Sequence, residues 1–193
     1  MKVSLREIHG PWDAGWVLDK HMLKSTYLGE DAYGHPQFDN ERTDVGEATY
    51  QLKYQSDWSQ AKRLAKALAD HVYPKFNNVG LIVPMPATKT RKRQPVVEVV
   101  VELGKLVGTP VFTELLLKAP NGKSLKDLST KLEKIEAIGG SLNVKDCIEG
   151  DDRHNLLLVD DLFDTGASLQ AACKVLSAYP KIRKIYVAAL TWK

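Results

Sequence analysis

The sequence has few cysteines, no long apolar run and no strong excess of one charge. Cys147 and Cys173 are its only cysteines, and they form neither a CxxC pair nor a zinc-ligand cluster. We expect two free thiols in a reducing compartment, although one disulfide between them is the alternative. No segment approaches the roughly 20 apolar residues of a membrane span. Residues 1–16 hold no long apolar run either, so we expect no secretory signal and a cytoplasmic location.

The charges nearly cancel, because 27 Lys and Arg residues stand against 24 Asp and Glu residues and leave a formal net charge of +3. A balance this small excludes a general polyanion-binding surface, so any basic site has to be local. Hydrophobic residues make up 44% of the chain, which is enough for a substantial core. A length of 193 residues suits one domain, since domains commonly hold roughly 100 to 200 residues. We therefore expect residues 1–193 to form a single domain.

From residue 50 onward, short apolar runs alternate with apolar stripes of helical spacing. The runs predict strands at 50–54, 79–83, 111–117, 156–159 and 185–190. The stripes predict helices from Asp57 to near Pro74, over 96–107 with Gly108 as the stop, and from near Leu169 to before Pro180. This alternation is typical of an α/β fold with a largely parallel sheet flanked by helices.

Residues 1–49 differ in composition from the rest. They mix glycine, proline and aromatic residues, and only 3–8 resembles a strand. Such a mixture favours a small irregular N-terminal cap, or hood, on an α/β core of residues 50–193. His21 and His35 lie in this segment without identifiable partner ligands. We interpret them as surface or packing histidines instead of metal ligands.

The stretch LLLVDDLFDTGAS, residues 156–168, carries the strongest functional signal. Asp160 and Asp161 directly follow the expected strand, and ligands of parallel sheets bind at the carboxyl ends of strands. A buried carboxylate is costly unless a partner meets it. Sugar hydroxyls can donate to both oxygens of a carboxylate, and Mg²⁺ prefers oxygen ligands. The pair is therefore predicted to bind ribose hydroxyls and Mg²⁺, the metal directly or through water.

The turn after these aspartates leads into the next expected helix. Its backbone N–H groups can converge on an anion at the helix N-terminus, and Gly166 lets the backbone approach a ligand closely. The predicted 5′-phosphate-binding residues are Asp164, Thr165, Gly166, Ala167 and Ser168. Alone, the same residues fit a plain helix start with Ser168 as the N-cap and solvated aspartates. The aspartate pair and the following turn together indicate a phosphorylated ribose as the ligand.

All positions of a known signature are met here: four apolar residues, two acidic ones, three variable ones, then Thr-Gly-x-Ser/Thr. The stretch resembles the phosphoribosyl-pyrophosphate (PRPP) signature of type I phosphoribosyltransferases. YQLKY, VPMP, the basic loop and the last strand together resemble the ComF-like branch, over about residues 50–191. The chain departs from that branch in lacking its four-cysteine zinc module. Arg93 is also followed by Gln-Pro-Val instead of Arg-Gly-Phe-Asn.

The resemblance implies a type I phosphoribosyltransferase fold, a pyrophosphate loop after the strand at 79–83 and a flexible lid over 118–132. The predicted pyrophosphate-binding residues are Ala87, Thr88, Lys89 and Arg91. The chemistry agrees, because a leaving pyrophosphate carries several negative charges that cations and Mg²⁺ can meet. Without the resemblance, the basic run is typical of a solvated loop. The lid segment is likewise typical of a plain exposed loop.

The expected activity is displacement of pyrophosphate from C1 of PRPP by a nitrogen nucleophile. Purines, pyrimidines and ammonia are all open as acceptors. Asp164 is the candidate catalytic residue, because DLFDTG resembles purine transferases that place a carboxylate near the base; otherwise it caps the following helix. The alternatives are a non-catalytic PRPP or nucleotide sensor and a DNA-handling accessory protein, the latter disfavoured by the small net charge. A homodimer is left open.

Overall fold

The computed structural model describes residues 1–87, 91–119 and 140–193. Its strands are β1 (Arg6–Glu7), β2 (Ala14–Lys20), β3 (Met22–Glu30), β4 (Pro36–Arg42), β5 (Val79–Pro84), β6 (Leu116–Lys118), β7 (Leu142–Val144), β8 (His154–Phe163) and β9 (Ile182–Trp192). Its helices are α1 (Asp44–Tyr54), α2 (Ser59–Ala67), α3 (Pro95–Val107) and α4 (Ala167–Ser177). Within these described ranges, no helix is both long and apolar enough to cross a membrane.

The central sheet of the described chain has the strand order β1-β2-β9-β8-β5. Strands β2, β9, β8 and β5 run parallel, and β1 pairs antiparallel with β2. The predicted α/β fold with a parallel sheet flanked by helices is therefore confirmed. Because parallel strands point the same way, the carboxyl ends of β5, β8 and β9 meet at one edge of the sheet. That edge carries the candidate site.

The centre of β8 is buried on both faces of the sheet, as its continuous apolar run predicts. Leu156 and Leu158 pack on the side of α4, whereas Leu157 and Val159 pack on the side of α1, α2 and α3. None of the four is more than 1% exposed. A fully buried aliphatic side chain contributes about 2 kcal/mol. This run therefore anchors the strand that leads into the functional stretch.

Residues 1–49 do not form the irregular cap that their composition favours. β2 is an internal strand of the central sheet, with Val17 and Leu18 fully buried in two different clusters. β3 and β4 form a separate antiparallel hairpin whose side chains are mostly exposed. A strand buried on both faces has no period-two pattern, and the partner of β2 is the distant β9. Composition therefore gave a misleading prediction for this segment.

The strand expected at 50–54 is instead the end of helix α1. A strand was expected because YQLKY alternates apolar and polar residues over a short window. The helical pattern begins earlier in the chain and becomes visible only over the whole helix. The residues buried at helical spacing are Val45, Ala48, Thr49 and Leu52.

The start of α1 is tied to the end of β2. The Thr43 hydroxyl accepts a hydrogen bond from the Gly46 N–H at 2.9 Å and donates one to the Lys20 carbonyl oxygen at 2.5 Å. Gly46 is required by packing, since a Cβ there would lie 2.0 Å from the carbonyl oxygen of His21. These contacts fix α1 against the sheet and so position its C-terminal end at the site.

The other predicted helices are confirmed with small shifts. α2 begins at Ser59 and continues through a π-helical turn and a 3₁₀ turn, so the helical path ends at Lys75. α3 ends at Val107 and is followed by Gly108, whose φ of 68° is the left-handed conformation that glycine favours. α4 starts two residues before the predicted Leu169.

Two of the expected strands are shorter than predicted. Of 3–8, only β1 is a strand; of 111–117, Val111 forms one bridge to Ile82 and β6 begins at Leu116.

Candidate active site

Strand β8 continues through the two aspartates of the signature to Phe163. Asp160 is paired with Ala189 of β9, and Leu162 with Thr191. The strand end predicted at 159 is therefore wrong, because backbone pairing with the long β9 extends the ladder past the last buried apolar residue. Asp160 and Asp161 still lie near the carboxyl end of the strand, as the motif predicts.

The side chains of the two aspartates leave opposite faces of β8, because successive residues of a strand alternate between faces. Asp161 faces α1, and its Oδ2 lies 2.6 Å from the Lys53 Nζ. Asp160 faces the side of β6, where Lys118 is a neighbouring charge. Both carboxylates line one cavity at the end of the strand. They therefore reach a shared ligand site from two sides.

Asp160 is half-buried and holds a proton more readily than an ordinary carboxyl group. Desolvation and the neighbouring charge of Asp161 raise its pKa to about 7. The Asp161 N–H donates to Asp160 Oδ1 at 2.8 Å, which opposes this rise together with the charges of Lys53 and Lys118. Burial in turn lowers the pKa of Lys118. Near neutral pH, Asp160 is thus divided between its neutral and ionised forms.

The loop that follows β8 turns directly into α4. Gly166 is the N-cap of this helix, with a left-handed φ of 76°, and therefore provides no capping side chain. Thr165 Oγ1 accepts from the Ala167 N–H at 3.4 Å, a long contact. Ser168, which would be the N-cap if the stretch were only a helix start, lies inside the first turn of α4. N–H groups at such a helix start can bind an anion.

Asp164 projects from this loop onto the cavity wall and is largely exposed. Its Oδ2 lies 3.8 Å from the Nζ of Lys193, and the Lys193 N–H donates to the Phe163 carbonyl oxygen at 3.1 Å. An exposed pair at this distance contributes about 1 kcal/mol at most. The N-cap position of α4 belongs to Gly166, so the capping role considered for Asp164 does not match the described loop.

The basic loop reaches the same cavity from β5. Ala87 and Arg91 line it, whereas Thr88 and Lys89 lie outside the described residues. Arg91 Nη1 donates to the Lys53 carbonyl oxygen at 2.8 Å. Arg93 is engaged elsewhere: its guanidinium forms an ion pair with Glu98 at 2.6 Å. The ring of Trp58 lies under the same guanidinium, with the centroid 4.2 Å from Cζ.

The cavity between these parts has a volume of about 450 Å³, within the roughly 300–1,000 Å³ of small-molecule sites. Its wall joins the C-terminal end of α1, the loop after β5, the start of α3, the antiparallel pair of β6 and β7, and the end of β8. Of the predicted phosphate residues, Asp164 and Ser168 belong to the described wall, whereas Thr165, Gly166 and Ala167 do not. The charged residues of the wall are Lys53, Arg91, Lys118, Asp160, Asp161 and Asp164.

Lys53 and Lys118 are the two charged wall residues that sequence reasoning missed. Lys53 lay in a segment interpreted as a strand, and no motif marks it. From the sequence, Lys118 is predicted only as the first residue of the lid. That lid, 118–132, falls outside the described residues except for Lys118 and Ala119. The Ala119 N–H donates to the Ser141 carbonyl oxygen at 2.7 Å.

A metal ion held by the two aspartates together fits this geometry poorly. Their carboxylates leave opposite faces of β8, and Asp161 already binds the Lys53 ammonium. Among the described residues, no group of three or more His, Cys, Asp or Glu side chains could hold a metal ion. Mg²⁺ commonly uses one or two carboxylates together with substrate phosphates. One carboxylate of the cavity wall together with phosphate oxygens of a ligand would match this coordination, whereas the aspartate pair alone does not.

The fold is that of the type I phosphoribosyltransferases. The chain is similar to adenine phosphoribosyltransferase from Leishmania tarentolae, over 98% of its own length and 95% of that chain, with a TM-score of 0.50 and 9% identity. It is also similar to hypoxanthine phosphoribosyltransferase from Staphylococcus aureus, over 70% of its own length and 65% of that chain, with a TM-score of 0.45 and 14% identity. The chain thus spans less than two thirds of the staphylococcal enzyme. At these identities the likeness establishes the fold alone.

No protein-family model and no curated protein sequence matches the chain. The type I phosphoribosyltransferase fold expected from the signature is confirmed by the structural comparison. The ComF-like branch receives no such confirmation.

Proposed function

We propose that the protein is a PRPP-dependent phosphoribosyltransferase that transfers the phosphoribosyl group to a nitrogen nucleophile. One observation carries this proposal: the fold joins the signature aspartates and the basic loop in a single cavity. Asp160 and Asp161 come from β8, while Ala87 and Arg91 follow β5, and all four line it. A ribose carrying phosphates at both ends requires such neighbouring sites for hydroxyls and for anions.

The proposed binding roles follow the chemistry of each part. Asp160 and Asp161 accept hydrogen bonds from the ribose hydroxyls. The 5′-phosphate binds at the loop and first turn of α4, which comprise Asp164, Thr165, Gly166, Ala167 and Ser168. The pyrophosphate binds at the loop after β5, with Ala87, Thr88, Lys89 and Arg91. Mg²⁺ accompanies the pyrophosphate and reduces its negative charge.

In the proposed reaction, the bond between C1 and the pyrophosphate oxygen breaks, and the pyrophosphate leaves with the electron pair. The lone pair of the acceptor nitrogen forms the new bond to C1. Arg91 stabilises the charge that grows on the leaving group. Asp164 accepts the proton that the nitrogen loses, or stabilises the positive charge on it. The acceptor is a nucleobase or an amine.

The test measures binding and turnover separately. Thermal unfolding is recorded with PRPP and with ribose 5-phosphate, each with and without Mg²⁺, because a ligand of the folded state raises the melting temperature. Pyrophosphate release is then measured with purines, pyrimidines and ammonia. Absence of any shift at millimolar ligand would overturn the proposal. Binding without release would identify a PRPP or nucleotide sensor instead.

The DNA-handling alternative finds less support. DNA contacts would need free cations in the basic loop, but Arg93 pairs with Glu98 and stacks on Trp58. Arg91 is held by a backbone carbonyl at the cavity. Steeply salt-dependent DNA binding would favour the alternative.

A further inference from the structure

Lys53 occupies a position between the two halves of the cavity that no motif assigns. Its ammonium lies 2.6 Å from Asp161 Oδ2, and its side chain is only 24% exposed. Its backbone carbonyl accepts from Arg91 Nη1 at 2.8 Å. One residue therefore contacts both the signature strand and the basic loop. The side chain and the carbonyl do so independently, so the side chain can be changed without removing the Arg91 contact.

The ion pair between Lys53 and Asp161 competes with the ligand that the site is proposed to bind. A ribose hydroxyl that donates to Asp161 Oδ2 takes the position of the ammonium. Lys53 would then be left three-quarters buried without its partner, and a buried charge without a partner is costly. The cost of breaking the ion pair between Lys53 and Asp161 therefore weakens the binding of a ligand that offers only hydroxyls.

This cost is offset when an anionic group of the ligand pairs with the displaced Lys53 ammonium. Arg91, which the Lys53 carbonyl holds, lines the same cavity as the Lys53 side chain, so both cations can meet an anion bound between them. Beside Arg91 the proposed function places the pyrophosphate, whereas the 5′-phosphate belongs to the start of α4. An anion alone also binds poorly, since Lys53 is already paired and Asp161 repels it.

We propose that Lys53 is a specificity-determining residue. When the ligand binds, the Lys53 ammonium leaves Asp161 and pairs with the pyrophosphate of the ligand. The exchange makes recognition of the ribose hydroxyls and of the pyrophosphate mutually favourable, which is a coupling free energy between two subsites. Ligands that carry both groups are selected over ligands that carry one. This inference rests on the proposed function, since it assigns a role within the same site.

Calorimetric titration of Lys53→Met tests the exchange. The methionine side chain has a similar length without the charge. PRPP, ribose 5-phosphate and inorganic pyrophosphate are titrated at one fixed Mg²⁺ concentration into the wild type, Lys53→Met and Lys53→Arg. Lys66→Met is the matched control, because Lys66 forms an exposed ion pair with Asp70 away from the cavity. Lys53→Gln is a second neutral variant if Lys53→Met does not fold.

We expect Lys53→Met to weaken PRPP binding roughly 10- to 100-fold, the range for one hydrogen bond to a charged group. Ribose 5-phosphate should bind as well as before or more tightly, because its hydroxyls no longer displace an ammonium. Lys53→Arg should restore most of the PRPP affinity, and Lys66→Met should change nothing. Equal weakening of PRPP and ribose 5-phosphate, or unchanged PRPP affinity, overturns the exchange. A wild type that binds neither ligand overturns the proposed function itself.

Discussion

Asp160 and Asp161 are neighbours in the sequence, yet their carboxylates face opposite sides of β8 and meet different cations. Asp161 pairs with Lys53 of α1, whereas Asp160 lies near Lys118 of β6. Asp161 Oδ2 lies 2.6 Å from the Lys53 Nζ, whereas the pKa of Asp160 is raised to about 7. The two residues should therefore respond differently to substitution and to pH.

Asp161→Asn should weaken PRPP binding by roughly tenfold or more while the fold stays intact, because a charged acceptor of hydrogen bonds is lost. Loss of the carboxylate charge beside Lys53, whose side chain is only 24% exposed, should lower stability by about 1–3 kcal/mol, which corresponds to a fall in melting temperature of roughly 2–12 °C. Calorimetry and thermal unfolding measure the two effects. Asp70→Asn is the control, since it breaks an exposed pair with Lys66 far from the cavity. A severe loss of melting temperature with unchanged affinity would make Asp161 structural.

Asp160 should make stability depend on pH. Its folded pKa of about 7 lies above the reference value of 3.8, so the folded state binds the proton more tightly. The resulting stabilisation is complete below the unfolded pKa and is lost as the pH rises through the folded pKa. Relative to Asp160→Asn, the wild type should lose roughly 2 kcal/mol between pH 5 and pH 8.

Urea unfolding of both proteins at several pH values measures this difference. His21 also has a shifted pKa, which is lowered mainly by burial and by the charge of Arg42. Its titration therefore makes stability rise with pH, opposite to the effect of Asp160. Its contribution is common to both proteins and cancels in the comparison. Parallel stability curves for the wild type and Asp160→Asn would contradict a raised Asp160 pKa.

Asp164→Asn should lower kcat by about 10²-fold or more and leave PRPP affinity near normal, because a general base acts only in the chemical step. Stability should change little, since the carboxylate is exposed and Lys193 lies 3.8 Å away. Steady-state release of pyrophosphate with an active acceptor measures the effect. Lys193→Met is the control for the ion pair. Wild-type kcat in the Asn variant would remove Asp164 from the mechanism.

Gly166→Ala should destabilise the protein and weaken ribose 5-phosphate binding. The residue has a φ of 76°, and a Cβ would lie 2.9 Å from the Phe163 ring. Gly108 is a matched control, because its φ is 68° and no atom would lie within 4 Å of an added Cβ. Gly108→Ala should cost about 1–2 kcal/mol through backbone strain alone. Gly166→Ala should cost more, and only this variant should affect ligand affinity in calorimetry.

Local patterns were sufficient to predict much of the sheet and the signature loop. The apolar run at 156–159, the helical stripe after Asp57 and the Pro95 and Gly108 boundaries each depend on neighbouring residues alone. The signature also predicted that Asp160 and Asp161 lie at the carboxyl end of a strand, where the described chain has a cavity. For these elements, local preference and the final packing agree.

Pairings between distant segments could not be predicted in the same way. β2 was missed because its burial depends on β9, and the helical identity of 50–54 depends on residues before that window. Lys53 was missed for the same reason, since its place in the site follows from the packing of α1 against the sheet. The opposite orientation of the two aspartates depended on β8 continuing to Phe163, beyond its apolar residues.

The position of β9 has a consequence for the order of folding. β9 lies between β2 and β8 in the sheet but follows both in the sequence. The Ile185 N–H donates to Asp13 Oδ2 at 2.9 Å across 172 residues of chain. Until β9 docks, β2 and β8 each expose an unpaired, strongly apolar edge, a state prone to aggregation. During synthesis, β2 and β8 therefore stay unpaired at this edge until β9 has been made. We expect chaperone binding to protect the chain from aggregation during this interval.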